Sequence, residues 1–163
     1  MEDRLFVELE LPHHGWMRLT LRQGSNEFSE HASCVGQDFP CQLVEALIRL
    51  LALGPPQVAW MFLEPVWLGL HFHSEGLTVC THSDQWHQPP TIPEAGELLF
   101  QVTGSPARVA RRFYLALTRL GAKAREQPHT WMQHWDTPFP EKRLVQLHSS
   151  LRGPFNAPDK AES

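Results

Sequence analysis

His71-Phe72-His73, followed by His82, is the sharpest chemical grouping in the chain. An H-x-H pair on a β-strand points both imidazoles to one face, because side chains alternate with period two. Some zinc sites gather two of their ligands in this way. On an adjacent strand, His82 shares a facing with Cys80 and Asp84, which brings a third ligand within consideration. A small metal-binding protein or metal-dependent enzyme using His71, His73 and His82 is therefore one reading. Packed or surface histidines are the plainer one, since ten histidines in 163 residues make chance pairs common.

Other catalytic patterns are missing from the sequence. There is no GxSxG elbow, and no serine or cysteine stands in a recognised context beside a histidine. Neither GxGxxG nor GxxxxGK[ST] occurs, so no glycine-rich phosphate loop is expected. The acidic pairs Glu8 with Glu10 and Glu27 with Glu30 have the spacing of exposed strand or turn positions, where carboxylates solubilise a surface. No catalytic residue and no cofactor is assigned.

Tryptophan usage points to binding instead. Six tryptophans in 163 residues is high, and Trp16, Trp67, Trp86, Trp131 and Trp135 fall where a core position is not required. Tryptophan anchors protein interfaces more often than most residues. Trp67, His71 and His73 share the strand face opposite Leu68, Leu70 and Phe72, so helices on the Leu/Phe face leave an aromatic and imidazole surface open. Alternatively the C-terminal segment or the loop bearing Trp86 covers that surface.

The elements that position these residues read as follows. Residues 4–11 (RLFVELEL) and 16–22 (WMRLTLR) alternate as half-buried strands, with a Pro12-His13-His14-Gly15 turn between them. Residues 27–33 make a polar third strand or a loop. Asp38 is a favourable N-cap with Pro40 in the first turn, opening a helix whose stripe is Leu43, Val44, Leu47, Ile48 and Leu51 and whose C′ residue is Gly54. Residues 57–84 then form three short-connected, antiparallel strands. The first of these, apolar on both sides at Val58–Leu63, suggests a central strand. Residues 84–95 are a proline-rich loop, and 97–103 return as a strand. Ser105-Pro106 starts a second helix to Leu120, with Gly121 at C′ and Arg108, Arg111, Arg112 and Arg119 largely outside the buried stripe. A helical turn at Trp131–Trp135, a short helix at 140–151 and a frayed tail at 153–163 complete the chain.

Strands in runs rather than alternating with helices predict an α+β domain over residues 1–152: a mostly antiparallel sheet of five to seven strands with two main helices on one face and a short third helix near the C-terminus. Three cysteines without CxxC spacing argue against a disulfide framework or zinc knuckle. No apolar run reaches the roughly 18–20 residues that span a bilayer, and MEDRLFVELE lacks a signal peptide's basic start and apolar centre. A cytoplasmic protein is expected, with no membrane partner. Residues 1–100 hold 4 Lys/Arg against 13 Asp/Glu, net −9, whereas residues 101–163 hold 10 against 5, net +5, giving −4 overall. The acidic N-terminal part is a poor match for nucleic acid and a better one for a basic protein partner.

Three segments carry a resemblance: Gly15 to Leu21 (GWMRLTL), Asp38 to Gly54 (DFPCQLVEALIRLLALG), and Glu64-Pro65 opening Trp67 to His73 (WLGLHFH). Together they resemble small bacterial proteins related to the immunity proteins of polymorphic toxin systems. The resemblance implies a cytoplasmic, non-enzymatic protein that occludes a co-produced toxin domain. The partner-binding residues expected from the sequence are Glu8, Glu10, Glu27, Glu30, Trp67, His71, His73, Asp84 and Trp86.

Overall fold

Period-two alternation and two amphipathic helices dictate most of the architecture. The computed structural model describes residues 3–82 and 96–152. Its elements run β1 (Phe6–Leu9), β2 (Trp16–Gln23), β3 (Asn26–Ser33), α1 (Phe39–Leu53), β4 (Gln57–Phe62), β5 (Trp67–His73), β6 (Gly76–His82), β7 (Leu98–Thr103), α2 (Pro106–Glu126), α3 (Pro128–His134) and α4 (Glu141–Leu151). The fold is α+β, with the seven strands divided into two antiparallel sheets of order β1-β2-β3 and β4-β5-β6-β7. The residues at 27–33 are a full strand, paired along its length with β2.

Each sheet turns one apolar face inward. Val7, Leu9, Met17, Leu19, Leu21, Phe28 and Ala32 are buried from the first sheet, and Ala59, Met61, Leu68, Leu70, Phe72, Leu77, Val79, Phe100 and Val102 from the second. Both sets join one continuous core with the helices. A polar link also ties the sheets: the hydroxyl of Ser33, at the end of β3, donates to Glu64 just past β4 at 2.8 Å. Burying a core leucine or phenylalanine contributes about 1.5–3 kcal/mol before chain entropy is subtracted.

Helix α1 starts and stops where its sequence indicates. Asp38 is the N-cap residue, and Gly54, at φ +81°, turns the chain while its N–H donates to Leu50 O at 3.0 Å. The Asp38 carboxylate, however, makes no bond to the helix end. It accepts instead from the indole Nε1 of Trp135, 97 residues away, at 3.1 Å. Arg143 on α4 reaches Glu45 on α1 at 3.2 Å, and Tyr114 on α2 hydrogen-bonds His148 on α4 at 2.7 Å. Arg119 on α2 donates to Val7 O at 3.2 Å, supplying a partner to the short strand β1.

Three expectations are corrected. Helix α2 does not stop at Leu120: it continues to Glu126, with Gly121 inside it. A Cβ at Gly121 would lie 2.7 Å from Phe139, so glycine here admits an aromatic ring against the helix instead of ending it. Strand β4, apolar on both sides, is an edge strand and not a central one. Its second apolar side, Val58, Trp60 and Phe62, packs with Trp67 in a small cluster outside the main core. Trp131 and Trp135 are core residues at 3% and 2% exposure, because α3 folds back under Phe139 and against Asp38. The expected loop at 84–95 and tail at 153–163 lie outside the described residues.

The Trp135–Asp38 bond is the polar tie between α3 and the start of α1. Removing the acceptor leaves a buried indole N–H unpaired, so Asp38→Ala should lower unfolding free energy by about 1–3 kcal/mol. Asp38→Asn keeps an acceptor oxygen and should lose less. Urea denaturation of the three proteins checks this; equal losses in both variants would assign the effect to helix-end charge instead.

Candidate functional site

Register decides which histidines meet. In β5 and β6, Trp67 pairs with His82, Gly69 with Cys80 and His71 with Thr78. His71 and His82 are therefore diagonal neighbours on the outer face of the second sheet, flanking the Gly69–Cys80 row. Their Nε2 atoms are 3.0 Å apart. A Cβ at Gly69 would clash with His71 Nε2 and lie 3.0 Å from His82 Nε2, so the missing side chain supplies the space in which the rings touch. Trp60 sets its ring edge-on to both, with centroids 5.9 Å from His71 and 4.9 Å from His82.

This contact has one-proton chemistry. One Nε2 must donate and the other accept, so the bond exists only while at least one ring is neutral. Burial first, then the neighbouring His82 and His73, holds the His71 imidazole below its usual value of 6.5. His82 is buried at 2% exposure, while His71 and His73 are half-buried.

The structure separates the expected metal trio. His73 lies on the same face as His71, yet its Nε2 bonds Thr78 Oγ1 at 2.9 Å and its Nδ1 accepts from Glu75 N at 3.3 Å. Among the described residues, no group of three or more His, Cys, Asp or Glu side chains is arranged to hold a metal ion. Desolvation is the leading cause that pushes up the thiols of Cys34, Cys41 and Cys80, which favours the protonated form over the nucleophilic thiolate.

Trp67 is not the exposed anchor expected of it. It is fully buried, stacked on Phe62 with centroids 4.5 Å apart and 28° between the rings. Two large rings facing each other across adjacent strands bury apolar area together, while the buried Trp67 Nε1 finds no hydrogen-bond partner among the described residues. Asp84 and Trp86 lie outside the described residues.

The acidic residues belong to a different surface. Glu8, Glu10 and Glu27 project from the outer face of the first sheet, whereas Glu30 has the facing of buried Phe28 and Ala32 and is half-buried at the edge. Arg18 and Arg22 sit between them: Arg18 lies 4.0 Å from Glu10 and Arg22 3.8 Å from Glu27, and the Arg22 guanidinium lies over the Phe6 ring at 4.6 Å. This surface is thus mixed in charge, since β2 places its arginines opposite the glutamates of its neighbours. Phe6 and Trp16 are exposed on the same face at 37% and 36%. Trp16 was one of several tryptophans assigned outside the core, and the strand alternation that places it outward also places Arg18 and Arg22 beside it and Phe6 beside Glu8 and Glu10.

A further histidine group was not anticipated. His13 and His14 in the β1–β2 turn meet His134 at the end of α3, with centroids 5.2 and 5.1 Å from it. The His14 and Gly15 amides donate to His134 Nδ1 and O at 3.0 and 2.9 Å, which fastens the turn to the helix.

No protein-family model, curated protein or solved structure matches the chain.

Because the folded-state value of His71 lies below the unfolded one, the unfolded chain binds that proton more tightly. The stability held here is whole above about pH 6.5 and falls as pH drops through the interval down to the folded-state value. His71→Gln should flatten this part of a stability–pH profile between about pH 8 and pH 5; an unchanged slope in urea midpoints would contradict the assignment. Gly69→Ala should push the imidazoles apart and destabilise by about 1–3 kcal/mol, measured by the same denaturation series.

Proposed function

We propose that this is a non-enzymatic binding protein that neutralises a cognate toxin by docking on it and occluding it. The docking surface is the outer face of β1-β2-β3. The observation that carries this reading is the juxtaposition there of two exposed aromatics, Phe6 and Trp16, with Glu8, Glu10 and Glu27 on a hydrogen-bonded antiparallel frame. Large rigid side chains presented among charges are the composition of an interface with a few anchoring residues and a polar rim. The resemblance of the 15–21, 38–54 and 64–73 segments to immunity proteins supports the same reading.

The charges suit a partner with a basic surface. Three glutamates stand against two arginines on this face, and the Arg18–Glu10 and Arg22–Glu27 separations of 4.0 and 3.8 Å are those of weak, exposed pairs. A basic partner recruits Glu8 directly and competes for the other two carboxylates. Such complementarity speeds encounter more than it tightens the complex. A reading in which the protein acts in the cytoplasm, beside the site where the toxin is made, follows from the same proposal. No helix among the described residues is long and apolar enough to cross a membrane.

Mixing with the toxin encoded beside it should give a complex that survives gel filtration at micromolar concentration. Trp16→Ala should weaken that complex by about 30-fold, the effect of an anchoring residue near 2 kcal/mol. Glu8→Lys should mainly slow association, and more so at low salt. A complex of unchanged affinity in the Trp16→Ala, Glu8→Lys double variant would sink the assignment of this face.

A further inference from the structure

The start of α2 opens onto a cleft that the docking reading does not use. Its volume is about 700 Å³, and it is lined by the N-terminal segment, the end of β2, the end of β7 and the first turns of α2. Four guanidinium-bearing residues line it: Arg4 from the segment before β1, and Arg108, Arg111 and Arg112 from the helix. Asp3 is the one carboxylate on its described lining. The floor includes buried Leu5 and Val109, and the Gln23 amide bridges β2 to β7 by donating to Thr103 O and accepting from Thr103 N.

Arg4, Arg111 and Arg112 bring three positive charges to this one cleft. Arg108 stands three residues before Arg111 and four before Arg112, so it shares a helix face with each of them. Arg108 sits in the first turn of α2, where backbone N–H groups concentrate positive charge, and Arg111 and Arg112 follow in the second turn. That first turn contains no acidic residue, and its cap is the uncharged Ser105, whose Oγ accepts from Arg108 N at 3.3 Å. Among the described residues, Arg4, Arg111 and Arg112 make no ion pair. Arg112 is half-buried, whereas Arg108 and Arg111 are exposed. Arginine forks match phosphate oxygens two at a time, which suits a crowded cluster better than single charges do.

We infer that this cleft binds a phosphorylated small molecule carrying at least two phosphate charges. Arg4, Arg111 and Arg112 grip the phosphates from two sides of the cleft, with Arg108 and the helix end adding to the field. Leu5, Val109 and the Gln23 amide contact the uncharged remainder of the ligand. A volume of about 700 Å³ lies within the range of small-molecule pockets.

Pyrophosphate, added at constant ionic strength against chloride, is the probe. It should raise the melting temperature saturably, and in amide NMR spectra it should perturb residues around Gly104 and Val109. The double variant Arg111→Gln, Arg112→Gln should bind it at least tenfold more weakly while keeping the circular dichroism of the parent. Arg125→Gln, Arg143→Gln, which removes two cations outside the cleft, should bind as the parent does. Equal weakening in both double variants, or NMR changes spread over every basic surface, would show unspecific charge attraction and overturn the site. ADP binding more tightly than pyrophosphate supports a ligand whose body rests on the apolar floor. Recruitment to phosphatidylserine–phosphatidylcholine vesicles with no response to pyrophosphate overturns the soluble ligand in favour of a lipid headgroup. If the Arg111/Arg112 variant loses its folded spectrum, Arg4→Gln alone, outside the helix, replaces it in the same comparison.

Discussion

Everything in this fold depends on two sheets having one apolar face each and sharing a single set of helices to cover them. A half-polar sheet is stable only when its apolar side is removed from water. Here the inner faces of both sheets meet α1, α2, α3 and α4 in one continuous core. Helix α1 is short and strongly apolar on one side, burying Phe39, Leu43, Val44, Leu47 and Leu50, while α2 contributes Val109, Phe113, Leu117 and Leu120 from one stripe. That arrangement leaves the two outer faces free to diverge in chemistry. One becomes a mixed, exposed surface with Phe6 and Trp16; the other closes on itself around Trp60, Phe62 and Trp67.

The second outer face shows how a single glycine sets local chemistry. Without a side chain at Gly69, two imidazoles from neighbouring strands reach each other and share a hydrogen bond at 3.0 Å. Burial that holds His71 below its usual value favours the neutral form, and the neutral form is what a one-proton bond between two rings requires. Electrostatics and packing therefore agree at this point. Near the start of α2 three arginines without ion pairs among the described residues gather along one cleft instead, and local conflicts of that kind are expected at functional or strained sites.

Much of the fold was legible in the residues. Alternation located six of the seven strands and left residues 27–33 between strand and loop, and the proline and glycine punctuation located α1 at both ends. The outer-facing positions of Glu8, Glu10, Glu27 and Trp16 follow from the same period of two. The reading broke down where one residue type has two structural uses. Gly121 reads as a helix stop but is a seat for the Phe139 ring, because a missing Cβ serves close approach as readily as a turn. Asp38 reads as a helix cap, and it holds that position, yet its carboxylate is spent on Trp135. A strand apolar on both sides, such as β4, reads as central, although a satellite aromatic cluster covers the second side equally well.

The sequence by itself determined which residues face alike within each element, since that depends only on local periodicity. It determined the α+β class, the helix starts after Asp38 and Ser105, and the separation of acidic from basic halves. Only the tertiary structure decided which faces meet. Pairing register placed His71 beside His82 and sent His73 to Thr78, and no local pattern encodes a diagonal contact between strands. Chain folding over a hundred residues brought Arg4 to the arginines of α2 and buried Trp67 and Trp135. Those outcomes depend on shape-matched packing between distant segments, for which single residues carry no individual signal.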